Sequence, residues 1–152
     1  MLIGVISDTH GLVRPQAVEV LRGADLIIHA GDVGKPAVLE ALRAIAPVAA
    51  VRGNVDIDAW AAALPEQETV MAQNHKIHVL HDLSDVDFDP AKGGYSVVIF
   101  GHSHKPSLKL RDRVLYLNPG SAGPRRLSLP IAVARLRIST AGIDPEIIHL
   151  EG

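Results

Sequence analysis

The sequence predicts an α/β fold in which two mixed sheets pack together and helices flank them. Short apolar runs rich in Val and Ile recur through the first hundred residues, and each ends in Gly, Asp, Asn or His. Segments with helical spacing of apolar residues lie between several of these runs. After residue 104 the pattern changes to closely spaced strands. With 152 residues and no linker-like segment, the chain is expected to form one domain spanning residues 1–152.

The first hundred residues are predicted to alternate strands with helices. The predicted helices cover residues 15–22 and 36–46, because Pro15 and Pro36 fit the first turn of a helix. The segment 82–95 contains four aspartates, a proline and a Gly-Gly pair, which favour a loop with at most a short helix. The predicted strands are residues 2–7, 25–30, 48–52, 76–80 and 96–100.

The last third of the chain is predicted to be rich in strands. Residues 107–111 and 114–117 are joined by Asp112-Arg113, which predicts a tight turn. Residues 131–138 alternate apolar side chains with arginines, and residues 146–150 are expected to supply a last strand.

Composition excludes several classes of protein. The chain has no cysteine, which rules out disulfides and thiolate chemistry and fits a cytoplasmic protein. No apolar run is long enough to span a membrane, and the first residues lack the basic start of a signal peptide. Fifteen basic and seventeen acidic residues give a net charge of -2, so we expect no binding to long nucleic acids. The sequence leaves open whether the chain forms a homo-oligomer.

Polar side chains stand at the ends of the predicted strands, where ligands bind in open α/β sheets. The separations between successive candidates match one strand, one helix and two loops, so these side chains are expected to line one edge. Residues two apart in an extended chain point the same way, so each closely spaced pair is expected to face a common site. The candidates are Asp8, His10, Asp32, Asn54, His81, His102 and His104.

Seven candidates exceed the needs of one four-coordinate zinc ion, but they match two metals that share a carboxylate. Asp32 is the predicted bridge, and two divalent cations with two aspartates leave a charge of about +2, which suits a bridging hydroxide and a phosphate oxyanion. Imidazole and carboxylate ligands without thiolate favour Mn, Fe, Zn, Ni or Co over Ca or a lone Mg. We expect two divalent metal ions, with manganese preferred.

The ordered motifs resemble those of the calcineurin-like metallophosphoesterases and, more narrowly, of the small bacterial and archaeal phosphodiesterases of the YfcE and MJ0936 type. The resemblance covers nearly the whole chain. Its motifs are Ser7-Asp8-Thr9-His10-Gly11, Gly31-Asp32, Gly53-Asn54, His81, Gly101-His102-Ser103-His104 and Asn118-Pro119-Gly120-Ser121.

The resemblance implies a four-layered αββα sandwich and a metal-dependent phosphodiesterase whose bridging hydroxide hydrolyses small phosphodiesters. It implies that Asp32 belongs to both metal sites. Asp8, His10 and His104 would complete one site, and Asn54, His81 and His102 the other.

Two positions depart from the family pattern. Many relatives carry a histidine after the Gly-Asn pair, but Val55 stands here and cannot transfer a proton, so Asp56 is the predicted general acid. Asp82 stands where a glycine is usual, and it would either hold His81 or lower the charge of the site. Asn54 and Arg125 are predicted to bind substrate, because an arginine can clamp a phosphate with two hydrogen bonds.

Three alternatives stay open from the sequence. The chain could be a phosphomonoesterase or a nuclease of the same fold. It could also be a non-catalytic scaffold, since the eukaryotic retromer subunit Vps29 resembles this family. A complete set of seven ligand residues favours the enzyme over the scaffold.

Overall fold

The computed structural model describes residues 1–150 and contains two five-stranded sheets. The strand order is β10-β9-β1-β2-β3 in the first sheet and β4-β5-β6-β8-β7 in the second. Each sheet combines parallel and antiparallel neighbours, as predicted. The strands are β1 (Leu2–Ile6), β2 (Leu26–His29), β3 (Val48–Ala50), β4 (Gln67–Ala72), β5 (His75–Leu80), β6 (Tyr95–Ile99), β7 (Ser107–Arg111), β8 (Val114–Asn118), β9 (Ile131–Ser139) and β10 (Gly142–Leu150).

The two sheets pack face to face through their apolar residues. Ile3 and Ile28 of the first sheet share one buried cluster with Ile77, Val97 and Ile99 of the second. Ile3, Ile28, Ile77 and Ile99 are all fully buried, which makes this layer the centre of the core.

Two helices cover the outer face of the first sheet. They are α1 (Pro15–Leu21) and α2 (Pro36–Arg43), and each begins with a proline as predicted, because the first-turn N–H groups of a helix have no intrahelical partner. Leu21 and Leu42 are fully buried and pack with Ile27. Within residues 1–150, neither helix has the length and apolarity needed to cross a membrane.

The outer face of the second sheet is covered by the segment 82–94, which contains only a short 3₁₀ helix, Leu83–Asp85. Leu83 and Val86 pack against Leu80 and Val98. The predicted αββα sandwich is therefore confirmed, and its fourth layer is the predicted loop.

The structure contains elements that the sequence pattern did not predict. Strand β4 begins with three polar residues, and it forms because it pairs along its whole length with β5. Strand β10 begins at Gly142 rather than at residue 146, and it tolerates Pro145 because it is the edge of its sheet. A further 3₁₀ helix covers Ala59–Ala63.

Candidate metal centre

Asp8 lies at the centre of the site, directly after β1, and is fully buried. Its Oδ2 accepts hydrogen bonds from Ser7 Oγ at 2.8 Å and from the His102 backbone N–H at 3.2 Å. Its Oδ1 is buried without a hydrogen-bond partner among the described residues. The Nε2 atoms of His104, His81 and His10 lie 3.4, 3.8 and 4.0 Å from this oxygen. Three imidazoles therefore converge on one unpaired carboxylate oxygen.

Asp32 follows β2 and faces the same centre. Its Oδ1 accepts the backbone N–H of Val55 at 3.0 Å, and its Oδ2 lies 3.2 Å from Nε2 of His81 and 3.7 Å from Nε2 of His10. Burial disfavours the charged form of Asp32 and raises its pKa. The hydrogen bonds from His81 and from the Val55 N–H, together with the charges of the nearby imidazoles, outweigh burial and lower the pKa of Asp32 to about 2. Asp32 is therefore an anion that contacts both sides of the site.

His81 is oriented by a backbone carbonyl. Its Nδ1 lies 2.8 Å from the carbonyl oxygen of Ala30, so the neutral ring carries its proton there and presents a lone pair at Nε2. That lone pair faces the carboxylates of Asp8 and Asp32. Burial lowers the pKa of His81, but the two carboxylates outweigh burial and raise it. A cation between Nε2 of His81 and the two carboxylates would relieve the repulsion between the lone pair and the negative charges, as a proton on Nε2 does.

The charges of Asp8 and His104 are both reduced by their surroundings. Burial raises the pKa of Asp8, although His81, Ser7 and His104 oppose the shift. Burial also lowers the pKa of His104 and outweighs the opposing charge of Asp8. A buried carboxylate with an unpaired oxygen, beside an imidazole whose pKa is lowered, is an environment that suits metal ligands.

The ligand atoms form two groups of three that share Asp8. Within each group, one ligand atom of every residue lies within 4.8 Å of the others. Nε2 of His10 and Nε2 of His104 are 3.3 Å apart. This donor set fits divalent cations, because buried carboxylate oxygens and imidazole nitrogens converge without enough hydrogen bonds to satisfy them. The two groups are Asp8, His10 and His104, and Asp8, Asp32 and His81.

His102 and Asn54 lie at the rim rather than in the buried centre. The His102 side chain is 49% exposed, and its ring centroid is 5.3 Å from that of His81. Asn54 is exposed and lines a cavity of about 440 Å³ together with His81. The structure therefore brings five of the seven predicted ligands into contact and leaves two beside them.

The ligand loops have an unusual backbone that the sequence does not reveal. Asp8, His10, Asp32, His102 and His104 all have positive φ angles, between 47° and 74°. Non-glycine residues adopt this region only where the surroundings impose it, and such strain clusters at functional sites. The strands end abruptly here because the Asp8 N–H donates to the Gly31 carbonyl and the His10 N–H donates to the Asp32 carbonyl, each at 3.0 Å.

Gly53 and Gly101 let the loops approach the carboxylates closely. A Cβ atom at Gly53 would collide with the Asp32 side chain, and one at Gly101 would collide with Ser7 and Asp8. Any larger residue at these positions would displace a carboxylate.

Asp56 occupies a structural position. Its carboxylate is buried and accepts three backbone N–H bonds, from Val33, Gly34 and Gly53, at 2.9–3.0 Å. These bonds tie the loop after β2 to the loop after β3. Both oxygens act as acceptors, and protonation would cost one of these bonds, so the geometry does not support the predicted role of Asp56 as general acid.

Asp82 faces His102 rather than His81. Its Oδ1 accepts the N–H and the hydroxyl of Ser84, and its Oδ2 lies 3.8 Å from Nε2 of His102. These hydrogen bonds and the imidazoles lower the pKa of Asp82. The predicted support of His81 by Asp82 is therefore replaced by a contact with His102.

Arg125 and Arg126 lie in an exposed loop after β8. Among the described residues, Arg125 makes no hydrogen bond or ion pair. The charge of Arg126 contributes to lowering the pKa of His104.

The Asn118-Pro119-Gly120-Ser121 motif holds the ligand loops in place. Asn118 Nδ2 donates to the Gly101 carbonyl and to Ser103 Oγ, both at 3.1 Å. Ser121 Oγ donates to the Asp8 carbonyl at 3.0 Å. One turn therefore supports the loops that carry Asp8 and His104.

His29 supports the site and was not singled out by the sequence pattern. Its Nδ1 accepts the Gly31 N–H at 3.0 Å. Thr9 Oγ1 donates to the Val33 carbonyl at 2.8 Å and lies 3.0 Å from His29 Nε2, so it accepts the Nε2 proton. Burial lowers the pKa of His29 to about 4, although the charge of Asp56 opposes it. The only signal in the sequence was its place at the end of β2.

Comparison with known proteins identifies the family. The family model for the calcineurin-like phosphoesterase superfamily domain matches residues 1–141. A probable metallophosphoesterase of Methanothermobacter thermautotrophicus is 36% identical, and the alignment covers 98% of this chain and 92% of that protein. The phosphodiesterase MJ0936 of Methanocaldococcus jannaschii is 28% identical, over 79% of this chain and 83% of that protein.

Solved structures share the fold. A structure described as a novel archaeal phosphodiesterase has a TM-score of 0.83 and 25% identity, and covers 99% of this chain and 100% of its own. Zinc-bound Vps29 of Entamoeba histolytica has a TM-score of 0.76 and 23% identity, covers 98% of this chain and 99% of its own, and shows the fold alone. On the extent of the family match and the identity of its relatives, the chain belongs to the calcineurin-like phosphoesterase superfamily.

Proposed function

We propose that this phosphoesterase holds two divalent metal ions and hydrolyses small phosphodiesters. The observation that carries the proposal is the buried, unpaired Oδ1 of Asp8, on which Nε2 atoms of His10, His81 and His104 converge. Such an arrangement is costly unless a cation satisfies it.

The two groups of converging atoms share Asp8, and the resemblance to the family assigns the same side chains to two ligand sets that share Asp32. Asp8, His10 and His104 would hold one ion with Asp32. His81, Asn54 and His102 would hold the other, also with Asp32. When bound, the two cations would supply a nucleophile derived from water and would neutralise charge on the phosphoryl oxygens.

The protein keeps these ligands in the required states. Asp32 stays anionic because its pKa is lowered to about 2. His81 presents its Nε2 lone pair to the centre because the Ala30 carbonyl holds Nδ1–H. Asn118 and Ser121 fix the two loops, so little reorganisation is needed when ligands bind.

The leaving group receives no proton from the loop after β3. Val55 is 48% exposed beside Asn54 and has no titratable group, and Asp56 is engaged by three backbone N–H groups. We therefore infer a preference for diesters of acidic alcohols, such as aryl esters, which leave without strong protonation.

Manganese is the proposed metal and the cytoplasm the proposed location.

A diesterase is proposed over a monoesterase because both a sequence relative and a solved structure are described as phosphodiesterases. A Vps29-like scaffold is the second candidate, because Vps29 structures share the fold and fold alone does not establish activity. Vps29 was also solved with zinc, so turnover rather than metal content separates the two candidates.

The test is hydrolysis of bis(p-nitrophenyl) phosphate and of p-nitrophenyl phosphate, each with Mn²⁺ and again after chelation. We expect chelator-sensitive hydrolysis of the diester at a higher kcat/KM than the monoester. Faster monoester hydrolysis would make the chain a monoesterase. Absence of turnover in protein that contains metal would favour the scaffold.

A further inference from the structure

The outer face of the second sheet is only partly covered. The segment 82–94 packs over the middle of this sheet through Leu83 and Val86. Between Leu83 and the edge strand β7 lies a cavity of about 350 Å³, here called the basic groove. Ser103 and Lys105 line it, so the groove begins at the loop that carries His104.

The charged side chains that line the basic groove all carry positive charge. They are Lys105, Lys109 and Arg111, and no acidic residue among residues 1–150 lines the groove. Lys109 and Arg111 are two apart on β7 and so share one face of the sheet. The Arg111 guanidinium lies over the Tyr116 ring, 5.4 Å from its centroid, which holds this charge in the groove.

The wall beneath these charges is apolar and aromatic. The chain has one Trp, two Tyr and two Phe, and both Phe100 and Tyr116 line this groove. Leu83 and Pro106 complete the apolar surface. Positive charges above aromatic side chains suit a ligand with a planar ring and a negative group of its own.

A second groove on the other side of Asp82 has the opposite charge. It is the cavity of about 440 Å³ beside His81, and Asp82 and Asp85 line it. Arg52 and Glu66 also line it, but they pair with each other at 3.4 Å. The acidic residues Asp82 and Asp85 therefore set the charge of this second groove, which borders His81, whereas the basic groove borders the loop of His104.

We propose that the basic groove binds one substituent of the phosphodiester substrate, and that this substituent is an aromatic group carrying its own negative charge, such as a phosphorylated nucleoside. The proposal rests on the proposed function, because a diester has two substituents and the site offers two grooves. The second groove, lined by Asp82 and Asp85, then receives the other substituent, which is neutral or cationic.

Direct binding tests the groove without any turnover. Thymidine 3′,5′-bisphosphate is titrated into the Mn²⁺-loaded protein and into the double variant Lys109→Glu/Arg111→Glu. We expect binding roughly tenfold weaker in the double variant, because two charge contacts are reversed. The control is Arg113→Glu, since Arg113 lies in the same hairpin but lines a different cavity. Equal affinity of the double variant and the control overturns the proposal.

The aromatic part is tested with pyrophosphate, which has the charge but no ring. We expect pyrophosphate to bind about tenfold more weakly than the bisphosphate, and Tyr116→Ala to reduce that difference. Equal binding of the two probes to the unmodified protein overturns the aromatic assignment.

A pair of substrates links the groove to catalysis. They are the p-nitrophenyl esters of thymidine 5′-phosphate with and without a 3′-phosphate. We expect a higher kcat/KM for the phosphorylated ester, loss of this preference in the double variant and its retention in Arg113→Glu. Equal kcat/KM for the two esters in the unmodified protein overturns the subsite. Failure to hydrolyse either ester contradicts the proposed function, while the binding titration still decides the groove.

Discussion

Nε2 of His81 lies 3.2 Å from Oδ2 of Asp32, although the Nδ1 proton of His81 is directed to the Ala30 carbonyl. In the neutral ring this places a nitrogen lone pair against a carboxylate oxygen. The contact is favourable only if a proton or a cation stands between the two atoms. This relationship is the local reason for expecting a metal ion between the strand ends of the two sheets.

Removal of the Asp32 charge is expected to abolish activity. Asp32→Ala and Asp32→Asn should each lower diester hydrolysis by roughly 10²–10³-fold or more, because the anion shared by both ligand sets is lost. Asn retains an acceptor for the Val55 N–H, so this variant should fold. Metal content per chain is measured beside the rate, with Asp58→Asn as an exposed control. Full metal content and activity in Asp32→Asn would contradict the assignment.

Asp56→Asn is expected to reduce stability rather than to remove metals. The amide has one acceptor oxygen for N–H groups that now bond two carboxylate oxygens, so the free energy of unfolding should fall by about 2 kcal/mol. Denaturant unfolding measures the change, and Asp58→Asn, whose side chain makes no capping bond, is the control. An unchanged stability with a lost alkaline limb of the pH profile would instead restore Asp56 as general acid.

The lowered pKa of His29 predicts that the protein loses stability in acid. Its folded pKa of about 4 lies below the ordinary value of 6.5, so the unfolded chain binds more protons between these pH values. The contribution of His29 to the free energy of unfolding is therefore fully present above pH 6.5. It falls by about 3 kcal/mol as the pH falls toward 4. Asp32 contributes in a lower window, between pH 3.8 and about 2.

Ring ¹⁵N chemical shifts of His29 provide the direct measurement of this shift. We expect the neutral tautomer with its proton on Nε2 to persist well below pH 6. A titration of His29 near pH 6.5 would show that the ring is not held by Thr9 and Gly31 as described.

Val55→His is expected to extend the range of leaving groups. An imidazole at this exposed position beside Asn54 would supply the proton that valine lacks. Hydrolysis of alkyl diesters should rise by roughly tenfold or more, because a positioned general acid contributes roughly 10²–10⁴-fold. Aryl diesters should change little. The control is Val55→Ala, and an equal effect of both substitutions on alkyl diesters would contradict the role of the missing proton donor.

The sequence predicted where side chains converge better than how they are held. Asp8, Asp32 and His81 follow strands that end at one edge of the sandwich, and strand periodicity is readable from apolar runs. Positive φ angles at Asp8 and Asp32 come from tertiary hydrogen bonds and have no local signature. The same holds for Asp56, whose partners Val33 and Gly34 belong to a different loop.

The fold was predictable where strands are continuous apolar runs. It was not predictable where a strand depends on pairing with a distant segment. Strands β1 and β2 are continuous apolar runs because both faces are buried. Strand β4 begins with Gln67 and Glu68 and is defined only by its pairing with β5, which a single-sequence pattern does not contain.

The central claim is that the chain holds two metal ions in contact with a shared carboxylate. Titration of the metal-free protein with Mn²⁺, followed by calorimetry and by electron paramagnetic resonance, tests it most directly. The account predicts two equivalents per chain and a spin-coupled signal, with hydrolysis of the aryl diester appearing as the second ion binds. A single equivalent with an isolated-ion spectrum, or full activity without metal, would contradict it.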